Sequence, residues 1–134
     1  MVAENSDADL IARVEALPEL VNGDDRLVHR GRFLSAEFMI ELGGRPFHVS
    51  IERGRIVRLD RAALPLRPWR FAIRGDDEGW RRFWRAIPEP PFHDIFALTR
   101  HAGFRIEGDL HPFMANLLYF KDVLAAPRRL AAEP

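Results

Sequence analysis

Gly103-Phe104-Arg105-Ile106-Glu107-Gly108-Asp109 (GFRIEGD) runs straight into an apolar-striped stretch, and its reading decides the fold. Phe104 and Ile106 alternate with Arg105 and Glu107, the period of two that marks a strand with one buried face. Gly108-Asp109 breaks the strand, and Asp109 is placed to cap the helix that follows. That helix carries Phe113, Met114, Leu117, Leu118, Phe120, Val123 and Leu124, more apolar surface than a single sheet contact needs. A wide apolar helix beside an edge strand can close a core or line a ligand cavity.

Upstream, Ala36, Phe38, Ile40 and Leu42 alternate with Glu37, Met39 and Glu41, and Gly43-Gly44 supplies a tight hairpin. The return strand turns Phe47, Val49 and Ile51 inward and His48, Ser50 and Glu52 outward. Arg53-Gly54 makes a second turn, and Arg55 to Arg61 reads as a third strand. Pro65 and Pro68 mark an irregular crossing before a fourth strand, Trp69 to Arg74, with Trp69, Phe71 and Ile73 on one face.

Gly75-Asp76-Asp77 then opens a helix whose Trp80, Phe83, Trp84 and Ile87 follow helical spacing. Its acids cluster early and Arg81, Arg82 and Arg85 late, in agreement with the helix dipole. Pro88, Pro90 and Pro91 stop it. Phe92 to His101 is the next helix, and Gly103 ends it. Residues 8–21 carry a weaker helical pattern that Pro18 bends, Asn22 to Asp25 is a polar turn, and a period of two begins at Leu27. The order is helix, meander, strand, two helices, strand, helix: an α+β class with a roughly five-stranded, mostly antiparallel sheet. Residues 1–26 are expected as an N-terminal helical segment, 27–126 as the main domain and 127–134 as a flexible tail.

The 134 residues suffice for one domain burying roughly two-thirds of its unfolded surface. Twenty basic residues balance twenty acidic ones, which argues against nucleic acid as a partner. Nineteen of the basic residues are arginine and one, Lys121, is lysine, a bias expected of a GC-rich bacterial genome. With no cysteine there is no disulfide, thiolate nucleophile or cysteine-bound zinc. The polar N-terminus and the lack of any apolar run near 20 residues predict a cytoplasmic protein without a membrane span.

Chemistry-bearing groups are sparse. His29, His48, His93, His101 and His111 show no HxxxH or HExxH spacing, so scattered or satisfied histidines are expected and no metal. Glu37 and Glu41 share a strand face and Asp76, Asp77 and Glu78 a helix start, and solvation and capping account for them. Ser6, Ser35 and Ser50 lack a nucleophile-elbow context, and Gly43-Gly44 is no phosphate loop. No catalytic residue and no cofactor are expected.

In order and punctuation the chain resembles the sterol carrier protein type 2 family. The resemblance rests on Phe38 to Gly44, the Arg53 to Arg55 turn where the family usually has Asp-Gly-Lys, Arg74-Gly75-Asp76 before a helix with Trp80, and Gly103 to Asp109. Glu107-Gly108-Asp109 is the closest match, and the likeness spans about residues 27–126. It implies helices on one face of a five-stranded sheet, an apolar tunnel for fatty-acyl chains, sterols or similar lipids, and a non-catalytic binding or transfer role. The fold also serves as an accessory domain of enzymes. Two departures, the prolines at 88–91 and the long loop Ala62 to Arg67, lie near the expected tunnel mouth.

Under this resemblance the ligand site comprises Phe38, Ile40, Phe47, Val49, Phe71 and Ile73 from the sheet, with Trp84, Phe96, Phe113, Leu117 and Phe120 from the helices. His93 stands at the rim. The same rings could instead fill the core, with Trp84 and Phe113 blocking the cavity. That alternative leaves an accessory module that binds an enzyme partner or dimerises through an exposed apolar patch.

Overall fold

The computed structural model describes residues 2–61 and 68–131, with side chains from residue 8. The loop Ala62 to Arg67 thus lies outside the described residues. Three helices lead in: α1 (Val2–Glu15), α2 (Leu17–Asn22) and α3 (Asp25–Arg30). A meander follows, of β1 (Ser35–Leu42), β2 (Arg45–Glu52) and β3 (Arg55–Asp60). Then come β4 (Phe71–Gly75), α4 (Asp77–Phe83), α5 (Ile95–His101), β5 (Arg105–Gly108), α6 (His111–Ala115), α7 (Leu117–Ala125) and a 3-10 helix, Ala126–Leu130.

The five strands form one sheet in the order β3-β2-β1-β4-β5. All neighbours are antiparallel except β1 and β4, which pair in parallel with Phe38 opposite Phe71 and Ile40 opposite Ile73. The α+β expectation holds, with one parallel ladder at the centre. Alternation directs Phe38, Ile40, Leu42, Phe47, Val49, Ile51, Phe71 and Ile73 to one face, where each is at most 2% exposed and joins a single core with the helices.

The turn Gly43-Gly44 has φ of 53° and 89°, the left-handed region that glycine enters without steric cost. The second turn is tighter in space than in sequence. Gly54 has φ of 81°, and a Cβ there would lie 2.6 Å from the Val28 carbonyl oxygen. The β2–β3 turn is thereby pressed against α3.

Asp76 caps α4 by accepting a hydrogen bond from the Gly79 amide at 2.8 Å, an interaction worth about 1 kcal/mol. The indole of Trp80 donates to the Glu41 carbonyl at 2.9 Å, that of Trp84 to the Leu124 carbonyl at 2.7 Å, and the Tyr119 hydroxyl to the Gly54 carbonyl at 2.7 Å. These three large amphipathic rings are therefore buried with their polar atoms satisfied.

Several expectations need correction. The period of two read from Leu27 is helix α3: Asp24 caps it through the Leu27 amide, Leu27 is its one buried side chain, and Gly31 ends it. Two-residue alternation over so short a run does not separate helix from strand. Trp69 precedes β4 instead of joining its inner face; it is half-buried, with Arg74 of the opposite face 5.8 Å from its ring.

The terminal helix breaks at Asn116, and its cap position is Leu110, with Asp109 bonding the His111 amide. Residues 126–130, within or beside the expected tail, form the 3-10 helix, with Ala126 and Pro127 buried. Arg128 Nε ties that helix down by donating to the Phe83 carbonyl at 2.8 Å.

The outer sheet face is not simply solvated. His48 points outward as expected yet is 0% exposed, with Met39, Ser50 and Ala72 also buried on that face. His48 Nε2 lies 3.1 Å from Glu37 Oε1, which also accepts from Ser50 Oγ at 3.3 Å. Arg74 bridges Glu41 and Glu107 at 2.9 and 2.7 Å, tying β1, β4 and β5 together.

Candidate functional site

Interlocked aromatic rings occupy the layer between the inner sheet face and the C-terminal helices. Phe38 and Phe71, paired across β1 and β4, stack at 5.1 Å and 13°. Phe120 of α7 sets its edge against both, at 5.4 and 5.1 Å. Phe113 of α6 meets Phe71 edge-on at 5.4 Å and stacks with Phe120 at 5.6 Å. Phe96 of α5 then reaches Phe113 at 5.9 Å. Pairs in these geometries contribute about 0.5–1.5 kcal/mol each beyond area burial.

Strand alternation and helical spacing explain the placement. Alternation puts Phe38 and Phe71 on one face, and the parallel register sets them side by side. Phe113 and Phe120 are seven residues apart, two helical turns, and both still face inward across the break at Asn116. Ile40, Phe47, Val49 and Ile73 surround the array along the same sheet face. Phe96 and Leu117 are half-buried, and they form its outer end.

Two predicted residues lie elsewhere. Trp84 packs against Trp80 at 4.9 Å, tilted by 33°, within a second aromatic group that includes Phe83 and Phe104. His93 is exposed, and its carbonyl accepts from Arg128. It lines a pocket of about 140 Å³ together with Phe83, Asp94, Ile95, Lys121, Asp122, Ala125 and Arg128. That volume is below the roughly 300–1,000 Å³ of small-molecule sites.

Lys121 is the residue that sequence reasoning undervalued. Its Nζ lies 2.9 Å from Asp94 Oδ1 and 5.2 Å from the centre of the Phe96 ring, a cation at the outer end of the aromatic array. The signal was its position four residues after Leu117 on one helix row. Burial alone would raise the Asp94 carboxyl, but the Lys121 ammonium and the Ala97 and Phe96 amides outweigh it and hold the group below the usual carboxylate range. Tyr119, beside Phe120 at 5.3 Å, is also part of the layer, and burial pushes its phenol upward.

A carboxyl depressed in the folded state contributes stability that is full above its unfolded pKa and is lost as the pH falls through its folded pKa. Urea titrations of the wild type should therefore show an acid loss of stability below about pH 4. Asp94→Asn should be less stable at neutral pH and show a smaller acid loss.

A cleft of about 570 Å³ lies on the opposite side, lined in part by Glu37, Ser50, Glu52, Val57, Arg58, Trp69 and Arg70. Its walls are mixed in charge. Arg58 pairs with Asp60 and Arg70 with Asp109. Among the described residues, no cluster of three or more histidines and carboxylates is arranged to hold a metal ion, and no helix is long and apolar enough to cross a membrane.

No protein-family model matches the chain, and no curated protein matches it in sequence. Solved structures do. Sterol carrier protein 2 superposes with a TM-score of 0.66 at 9% identity, covering 87% of this chain and 94% of that one. A conserved hypothetical protein from Thermus thermophilus, described as a sterol carrier protein candidate, gives 0.61 at 13% identity over 92% and 89%. A UbiJ-SCP2 ubiquinone synthesis protein gives 0.56 at 12% identity over 86% and 87%. The chain shares the sterol-carrier fold.

Proposed function

We propose that this chain is a non-catalytic, cytoplasmic binder or carrier of a hydrophobic small molecule, fatty-acyl, sterol-like or another lipid, held between the inner sheet face and α5–α7. The observation that carries the reading is the continuous run of rings from half-exposed Phe96 through Phe113 to buried Phe120, Phe71 and Phe38. It is a continuous apolar layer running from the surface to the centre of the sheet, which supports the reading. A ligand would enter by replacing ring–ring contacts with ring–ligand contacts, and binding would come from its own buried apolar area at about 25 cal/mol per Å². Lys121 marks the outer end, where a carboxylate head group would compete with Asp94 for its ammonium, with His93 and Arg128 further along the rim.

Displacement of a fluorescent fatty acid tests this. Saturable binding at micromolar concentration is expected, and it should weaken in Phe113→Trp, which crowds the layer. Absence of probe binding, together with absence of co-purified lipid in native mass spectra, would refute the carrier role.

The second reading takes the same rings as a permanent filling. Ring centroids 5.1 to 5.6 Å apart are in contact, which favours an accessory module that binds an enzyme partner or a second copy. One solved structure of this fold is described as a ubiquinone synthesis protein, which is compatible with an accessory role.

A further inference from the structure

Phe33 is 89% exposed, on the turn between α3 and β1. The Arg32 guanidinium lies 4.7 Å from the centre of its ring. Sequence and contact place further cations around it. Asp25, Arg26, His29, Arg30 and Arg32 line one shallow surface cleft, and the Arg53 backbone amide bonds Ser35, two residues after Phe33. Among the described residues Arg26, Arg32 and Arg53 enter no ion pair, whereas Arg30 is neutralised by Asp122. Among the described residues, Arg55 bonds the Asn22 carbonyl and enters no ion pair. Four guanidinium groups (26, 32, 53 and 55) thus face two carboxylates without a described ion pair, Asp25 and Glu52.

This tip is rigidly backed. Gly31 leaves room for the Tyr119 ring, since a Cβ there would sit 2.4 Å from its Cε1 atom, and Tyr119 bonds the Gly54 carbonyl. A single projecting aromatic on a stiff turn, beside a local excess of arginine over carboxylate, does not suit a protein interface. Such an interface needs roughly 800 Å² per partner and a broad apolar centre. It matches the chemistry of an anionic bilayer surface, where the ring enters the boundary between head groups and acyl chains and the guanidinium groups meet lipid phosphates.

We infer that the α3–β1 tip, with Phe33 as the inserted anchor and Arg26, Arg32 and Arg53 as phosphate-facing cations, is a docking surface for anionic lipid membranes. The inference stands apart from whether the interior takes a ligand, because a protein with a filled core would still attach by this surface.

Co-sedimentation of the full chain with vesicles tests it. Vesicles of equal parts phosphatidylglycerol and phosphatidylcholine should bind the protein, and pure phosphatidylcholine should bind it far less. Phe33→Ser should lower the partition coefficient about tenfold. Each arginine near an anionic surface contributes about fivefold, so joint substitution of Arg26, Arg32 and Arg53 by glutamine should lower it about 100-fold. Ile87→Ser removes an equally bare apolar side chain (83% exposed) from another part of the surface and should change nothing. Each of these variants alters exposed side chains, and circular dichroism confirms that it remains folded. The inference fails if anionic vesicles do not bind the wild type, if pure phosphatidylcholine binds it equally, or if Phe33→Ser binds as well as Ile87→Ser.

Discussion

Phe120→Ala is expected to lower the unfolding free energy by about 3–5 kcal/mol, measured by urea denaturation. Phe120 is 0% exposed and touches Phe38, Phe71, Phe113 and Tyr119, so its removal strips partners from four rings at once. The neighbours are fixed by the sheet register and by the Tyr119–Gly54 hydrogen bond, which limits how far they can collapse into the void. The variant also separates the two functional readings. If the wild type binds a fluorescent fatty acid, the site is already accessible and the variant should change its affinity or ligand-size preference. If only Phe120→Ala binds the probe and regains stability with it, the native rings are a plug.

Gly54→Ala is expected to cost about 3 kcal/mol, far more than the same change at Gly44. Both residues have positive φ, so both substitutions incur left-handed strain of about 1–2 kcal/mol. At Gly44 a Cβ meets nothing within 4 Å. At Gly54 it meets the Val28 oxygen at 2.6 Å and the Gly31 carbonyl carbon at 2.9 Å, both backbone atoms that cannot swing aside. Relief requires separating α3 from the β2–β3 turn, which also pulls the Gly54 carbonyl from Tyr119. Comparison of the two variants by urea unfolding measures the contact term alone; equal losses would refute it.

The meander was readable because three signals agreed: period-two burial at Phe38, Ile40 and Leu42, the glycine pair at 43–44, and the Arg53-Gly54 turn. The start of α4 was readable from Asp76, whose side chain does cap the helix. Pairing was not. Nothing in the alternation of β1 tells that its second neighbour is β4 in parallel, because periodicity reports faces and not partners. The burial of His48 was hidden for a similar reason: outward on a strand equals exposed only when nothing covers that face.

Within the candidate site, the five connected phenylalanines follow from stripes visible in the sequence. The assignment of Trp84 to a different aromatic group depends on where α4 ends, at Phe83, well before the proline stop. Lys121 escaped notice because a lone lysine among arginines looks like composition until Asp94 is seen beside it.

The parallel ladder at the centre of the sheet carries a consequence for how the chain assembles. β1 and β2 meet through a two-residue turn, and hairpins of this kind close in about 1–10 μs. The remaining edge of β1 receives β4 only after the whole of β3 and the crossing segment have been made. Until then the backbone groups of Glu37, Met39 and Glu41 form an open edge, a template for association with other chains. Docking of β4 is the step at which this edge is sealed, so the nascent protein should be most vulnerable to aggregation just before residues 71–75 arrive.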